Sequence, residues 1–290
     1  MPMLRKIGLL GLLAGPVAAE PAGCPELAAA LEGLTGYQVT APPAGPEGGW
    51  CVFDRAVLKA EGGPDFAAER LRLRGELADG ALVELAVEAD GVRLAPGLGQ
   101  RDLDPVLRET LRFQTAAVAF VVTVGPEGLG LRGGVVRLSG GTELKVEADL
   151  AGAGLSAGSL LLGRLTWARL DWRNDGKLLR PVTERWGESL VDGALGGKAV
   201  DAARLALQHM VLNLPTSLLP EDGKDRLDDV LDAVPQGRGR VFLEFRLAEG
   251  IGAAQVAVAM LSGDPLGPEA LARLFAGAEL AVDWQPGLVP

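Results

Sequence analysis

The stretch VFLEFRL, residues 241–247, alternates apolar and polar side chains, and LKVEADL (144–150) and LRLR (71–74) repeat the pattern. Because successive side chains of a strand point to opposite faces, this alternation predicts strands with one buried face and one wet face. Two Asp-Gly pairs, at 79–80 and 90–91, favour tight turns between antiparallel neighbours. The sequence therefore predicts an α+β fold built mainly on antiparallel, curved β-sheet.

Helical patterns follow and interrupt these strands. Apolar residues at helical spacing predict amphipathic helices over 25–34, 200–214, 225–234 and 268–276, and a further helix that opens at Asp104-Pro105. The run VAFVVTV (118–124) is apolar almost throughout, which predicts a strand covered on both faces. Strands cluster before helices, so a doubly wound parallel sheet is disfavoured.

The composition excludes several classes of function. Hydrophobic residues make up 48% of the 290 positions, enough for one large domain or two small ones. A net charge of -10 disfavours nucleic acid as a partner. With one His and two Cys in the chain, we expect no metal site and no cofactor.

The first residues have the pattern of an export signal. Arg5 and Lys6 precede an apolar stretch over 7–17, and Val17-Ala18-Ala19 offers the small residues of a cleavage site. We therefore predict a signal peptide over 1–19 and a mature chain that is periplasmic or secreted and does not span the membrane. A lipoprotein anchored through Cys24 is the alternative.

Cys24 and Cys51 form an even pair in a chain predicted to reach an oxidising compartment. Such a pair favours a structural disulfide over a metal site or a nucleophile. In the chain-entropy model, closing a loop of this length contributes on the order of 3 kcal/mol.

We expect residues 20–290 to form a single β-rich domain, with two similar lobes, about 20–155 and 156–290, as the alternative. The alternative rests on an internal similarity. LDPVL (103–107) matches LDDVL (227–231), and LSG recurs at 138–140 and 261–263.

One motif favours catalysis. GLSAG (154–158) fits G-x-S-x-G, and Ser156, Asp171 or Asp192, and His209 follow the chain order of an α/β-hydrolase triad. That mechanism needs a helix after the serine, whereas the alternation in residues 160–172 predicts a strand. His209, near the end of a predicted helix, is typical of a capping or packing residue. A serine hydrolase using Ser156 and His209 is therefore the alternative to a protein that is not an enzyme.

Two further motifs have structural interpretations. GALGGK (193–198) is one residue short of a phosphate loop and predicts a turn before a helix. Glu184, Glu188 and Asp192 recur every four residues, as on a solvated helix face, although paired carboxylates can also hydrolyse glycosides.

Three tryptophans are candidate binding residues. Trp186, close to the acidic residues, is a core anchor or a sugar platform, and the first interpretation is favoured. Trp172 and Trp284 each end an alternating strand, which predicts positions at the rim of a sheet. Ordinary sheet packing is favoured there over an aromatic lip around an apolar groove.

The C-terminal half contains LTWARLDWRNDGKLL, DGKDRLDDVLDAVP, RVFLEFRLAEG and GDPLGPEALARLFAGAELAVDW. Over about residues 160–284, this pattern resembles the AsmA-like and YdgA-like envelope proteins. The resemblance implies an exported protein whose long antiparallel sheet offers an apolar groove to lipids, and it assigns no functional residue.

The export signal, the strands with one apolar face and the weak catalytic motifs together predict a non-catalytic periplasmic protein. Its expected partner is a lipid, held by an acyl chain in an apolar groove of the sheet, or another envelope protein. A purely structural role in the envelope is the remaining hypothesis.

Overall fold

One antiparallel sheet of twelve strands forms the body of the protein. The computed structural model describes residues 20–61, 63–95, 108–109, 112–175, 179–235, 237–260 and 267–287. The strands are β1 (Glu20–Pro21), β2 (Gln38–Val39), β3 (Gly45–Glu47), β4 (Trp50–Lys59), β5 (Phe66–Ala78), β6 (Ala81–Leu94), β7 (Ala116–Gly125), β8 (Gly128–Leu138), β9 (Glu143–Ala151), β10 (Arg164–Asn174), β11 (Gly239–Gly252) and β12 (Ala278–Pro286).

The long strands β4 to β12 cross the sheet in chain order, and each is antiparallel to its neighbours. Of the short strands, β2 and β3 pair with β4, and β1 pairs with β5. The sheet is curved and unclosed, which confirms the predicted α+β fold. The three alternating stretches that predicted it lie within β5, β9 and β11.

Seven helices lie in the described residues: α1 (Cys24–Thr35), α2 (Ala157–Leu162), α3 (Leu179–Leu190), α4 (Gly197–Asn213), α5 (Glu221–Asp232), α6 (Ala253–Met260) and α7 (Pro268–Leu274). Four predicted helices are confirmed as α1, α4, α5 and α7, with ends displaced by a few residues. The helix expected at Asp104 lies largely outside the described residues.

The strand register gives the sheet two chemically different faces. Residues paired across neighbouring strands share a face. One face joins apolar side chains, as in the pairs Leu73–Val87, Val146–Leu170 and Leu243–Val282. The other face joins charged ones, as in Arg72–Glu88 and Lys145–Asp171. We call these the apolar face and the polar face.

Helices and loops cover the two ends of the apolar face. At one end, α1 packs Leu27 and Leu31 against buried side chains of β4, β5 and β6. At the other end, Leu218 and Leu219 of the α4–α5 connection and Phe275 after α7 pack against β11 and β12. Between these covers, most apolar side chains of β7, β8 and β9 are half-buried.

The prediction that residues 118–124 are covered on both faces is wrong. They lie in β7, where Val118 and Phe120 are half-buried on the apolar face and Thr123 is exposed on the polar face. The run is continuously apolar because Ala119 and Val121 occupy polar-face positions, where Ala119 pairs with the charged Glu88 and Val121 with the charged Arg132. A small side chain beside solvated charges needs no second covering layer.

The predicted disulfide is confirmed. Cys24, the first residue of α1, is bonded to Cys51 of β4, with their Cα atoms 5.4 Å apart. The bond ties the start of α1 to the sheet and is compatible with an exported protein. The predicted signal peptide over 1–19 lies outside the described residues. Within the described ranges, no helix has the length and apolar character needed to traverse a bilayer.

Strands from both halves of the chain belong to the same sheet. β9, in the first of the two lobes considered above, pairs along its whole length with β10 of the second. Residues 103–107 and 261–263, on which the internal similarity depended, lie outside the described residues. The division into two lobes therefore stays a prediction.

Candidate functional site

The middle of the apolar face, over which no described helix packs, forms a groove of about 350 Å³. Strands β7, β8 and β9 make its floor, with Phe120, Leu131 and Val146 among the lining residues. Leu34 of α1 and Leu160 of α2 stand at its walls. Every described residue that lines the groove is apolar or glycine, so the groove offers dispersion contacts and no side-chain hydrogen bond.

A bulge shapes the floor of the groove. The register of β8 shifts against β9 between Leu131 and Gly134, and Gly133 has the positive φ of 55° that a bulge of this kind requires. At Gly134, an added Cβ would lie 2.5 Å from the carbonyl oxygen of Val146. Glycine is therefore needed for the close approach of β8 to β9, and the bulge bends the strand under the groove.

The wall at α2 depends on a capped helix. Ser156 is the N-cap, and its hydroxyl oxygen accepts a hydrogen bond of 3.2 Å from the backbone N–H of Ser159. Leu160 of this helix packs against Val122 and Leu129, which close the floor at that end of the sheet. The capping interaction therefore stabilises the short helix that bounds the groove.

The two tryptophans at strand ends lie on the apolar face, away from α2. Trp172 of β10 and Trp284 of β12 both pair with Val241 of β11. Both are half-buried close to the ends of their strands, which confirms the predicted rim positions. They extend the apolar face past the groove, and neither lines the groove itself.

The polar face is held by ion pairs. Arg240 donates two hydrogen bonds to Asp171, of 2.7 and 2.6 Å, and this contact holds the pKa of Asp171 below its ordinary value. The indole N–H of Trp167 donates to Glu244 and lowers the pKa of that carboxyl. These contacts make the polar face a solvated surface of paired charges.

Ser156, His209 and Asp171 make their hydrogen bonds with other residues and not with one another. Ser156 caps α2, Asp171 binds Arg240, and Asp192 is exposed in the turn after α3. His209 is exposed on α4, and its Nδ1 lies 3.2 Å from Nδ2 of Asn213. Within the described part of the chain, no hydrogen bond joins the serine to the histidine or the histidine to either acid.

One local expectation about Ser156 is wrong. A strand was expected over 160–172, but helix α2 follows the serine and β10 begins at Arg164. Gly163, immediately before that strand, ends the helix. The alternation predicted for 160–172 is present in β10 and absent from the three leucines of α2. Three consecutive leucines do not distinguish a helix from a strand, because they show neither periodicity.

The other motifs take structural places. Residues 193–196 form the predicted turn before α4, and Lys198 is exposed in the first turn of that helix. Glu184 and Glu188 are half-buried on α3, beside a half-buried Trp186. Among the described residues, no group of three or more His, Cys, Asp or Glu side chains is placed to hold a metal ion.

Sequence reasoning missed most of the groove itself. β8, which reads GLGLRGGVVRL, was not predicted because its glycines break the alternation. The usable signals were Ser156 as a helix cap, Gly163 as a helix end, and the Gly133-Gly134 pair as a bulge. No signal in the sequence places Leu34 and Leu160 on the same groove.

No protein-family model matches the chain. No curated protein matches it significantly either.

Proposed function

We propose that this protein is a non-catalytic binding protein of the bacterial envelope, periplasmic or secreted, that holds the acyl chain of a lipid in the groove. The observation that carries the proposal is the apolar groove whose floor is formed by β7, β8 and β9 and whose walls include Leu34 and Leu160. A concave surface lined by apolar side chains is the usual form of a ligand-binding pocket. The disulfide supports an oxidising compartment.

The chemistry of the groove favours a chain over a polar ligand. A sugar, nucleotide or amino acid would lose its hydrogen bonds to water and gain none from these side chains. An acyl chain has no such bonds to lose. Its headgroup would remain in solvent, so the affinity should depend on the length of the chain and little on the headgroup.

The size of the ligand follows from its free energy of transfer. Each buried methylene contributes about 0.8 kcal/mol, while association costs at least about 4 kcal/mol. A chain must therefore bury more than about five methylenes before binding is favourable. A groove of about 350 Å³ lies at the small end of ligand pockets, which suits one chain rather than a whole lipid.

The test is binding of a fluorescent long-chain fatty acid to the purified protein. Val146→Phe fills the floor with a larger apolar side chain, and Val146→Asp adds a charge there. Thr123→Asp is the matched control, because it adds the same charge to the polar face of β7, another strand of the groove floor. We expect both Val146 variants to weaken binding about tenfold or more, equivalent to about 1.4 kcal/mol, and the control to bind as the parent does.

Two results would overturn the proposal. One is a folded parent protein that binds no long-chain probe. The other is a Val146→Phe variant that binds as tightly as Thr123→Asp, since the probe would then lie elsewhere. Circular dichroism of each variant shows whether a loss of binding follows from unfolding.

A further inference from the structure

Four large apolar side chains project from one end of the sheet. Leu161 and Leu162 of α2 are 67% and 83% exposed, and Val256 and Val258 of α6 are 41% and 70% exposed. The two helices contact each other where β9 and β11 end and β10 begins. We call these four residues the apolar tip.

The composition of the tip is unusual for a solvated surface. α6 reads AAQVAVAM and has no charged residue, although most of it is exposed. Single exposed apolar residues need no explanation, but four on two contacting helices form a patch. Burying apolar side chains is favourable in proportion to the area removed from water, so a partner that covered the tip would gain from all four side chains.

The area of the tip decides what kind of partner it fits. A stable protein interface uses about 20–30 residues on each side. The two helices have 6 and 8 residues, which is too few for a stable dimer or complex. Insertion into the boundary between lipid headgroups and acyl chains requires only a shallow apolar wedge.

Exposed charges of both signs lie beside the tip. Arg164, at the start of β10, and Arg273, which lines the same cavity as Val258, are exposed cations that can contact lipid phosphates. Glu249 of β11 and Glu269 of α7, one turn before Arg273, are exposed acidic residues at the same end. These acids offset the two cations, so the apolar side chains supply the attraction to the membrane.

We propose that the apolar tip inserts into a lipid bilayer and presents the α2 end of the groove to it. α2 has two apolar sides, because Leu160 lines the groove while Leu161 and Leu162 point into solvent. A docked tip therefore brings one wall of the groove to the membrane surface. Transfer of a chain through this end rests on the proposed function, whereas membrane binding by the tip does not.

The experiment is flotation of the full chain with vesicles of phosphatidylethanolamine and a minority of phosphatidylglycerol. The tip variants are Leu161→Asp with Leu162→Asp, and Val256→Asp with Val258→Asp. The matched control is Leu205→Asp with Leu212→Asp on α4, whose leucines are 63% and 71% exposed on a helix packed against α3 and α5.

We expect each tip variant to lower vesicle binding about tenfold or more, and the α4 control to float as the parent does. A parent chain that does not float would overturn the proposal, as would a control that loses as much binding as the tip variants. A dimer in ultracentrifugation that the tip variants abolish would also overturn it, since a second copy would then be the partner.

Two measurements separate this proposal from the groove. Tip variants should still bind the free fluorescent fatty acid, and Val146→Phe should still float with vesicles. A parent protein that floats with vesicles but binds no fatty acid would refute the proposed function of the groove and leave the proposal for the tip intact. Normal fatty-acid binding without flotation would refute the tip and leave the groove.

Discussion

Removing the disulfide should destabilise the fold by a magnitude that follows from the loop it closes. Cys24 and Cys51 are 27 positions apart. In the chain-entropy model, cross-linking a loop of 27 residues lowers the entropy of the unfolded chain enough to contribute about 3.5 kcal/mol at 25 °C. The same change should lower the melting temperature by about 7–14 °C in a domain of this size.

The perturbation is Cys24→Ala with Cys51→Ala, measured by urea unfolding of the chain from residue 20 onward. Reduced parent protein is the control, because it lacks the bond and keeps both sulfur atoms in their packing sites. If loop entropy dominates, reduced parent and double variant lose similar free energy of unfolding relative to oxidised parent. Equal stability of the oxidised and reduced parent would mean that the disulfide does not stabilise the fold.

Three further predictions test separate parts of the structure. Gly187→Ala should lower the free energy of unfolding in urea by about 2 kcal/mol, because the added Cβ would overlap the backbone of α4. Gly158→Ala is the matched control: its added Cβ meets open space, so the free energy of unfolding should stay the same or rise by up to about 1 kcal/mol. Asp171→Asn should cost about 1 kcal/mol at neutral pH by leaving Arg240 unmatched. The contact with Arg240 lowers the pKa of Asp171 in the folded state, so the ion pair stabilises the fold above the ordinary pKa of 3.8 and this stabilisation is lost as the pH falls through the lower folded pKa. The variant should therefore lose less stability than the parent over that acid range. An unchanged dependence of stability on pH would contradict this role of Asp171. Ser156→Ala should speed hydrogen exchange in α2, because it removes a helix cap worth about 1 kcal/mol. Neither the parent nor the variant should react with a fluorophosphonate. Labelling of the parent that the variant abolishes would support a serine hydrolase instead.

The sheet was predictable because its signal is local. The alternation over 241–247 has the two-residue period of a strand. The sequence alone therefore predicts which residues of that stretch lie on the apolar face. The disulfide was predictable because two cysteines allow one intramolecular pairing. Both predictions required no knowledge of which elements pack together.

The groove was not predictable, because coverage of a face depends on where the helices dock. The amphipathic helix over 200–214 could have closed the apolar face, and instead α4 packs against α3 and α5. Gly187 allows the close contact between α3 and α4, since any side chain there would meet the backbone of Ala199. The pairing of these two helices with each other leaves β7, β8 and β9 partly open.

Native mass spectrometry of the protein purified from the periplasm without detergent shows whether the groove carries a lipid. The intact denatured mass of the same sample reports cleavage after Ala19 and the two hydrogens lost on forming the disulfide. We expect a native mass that exceeds the denatured mass by one lipid or fatty acid, and loss of that excess in Val146→Phe. A bare parent protein that also takes up no added long-chain fatty acid would contradict it.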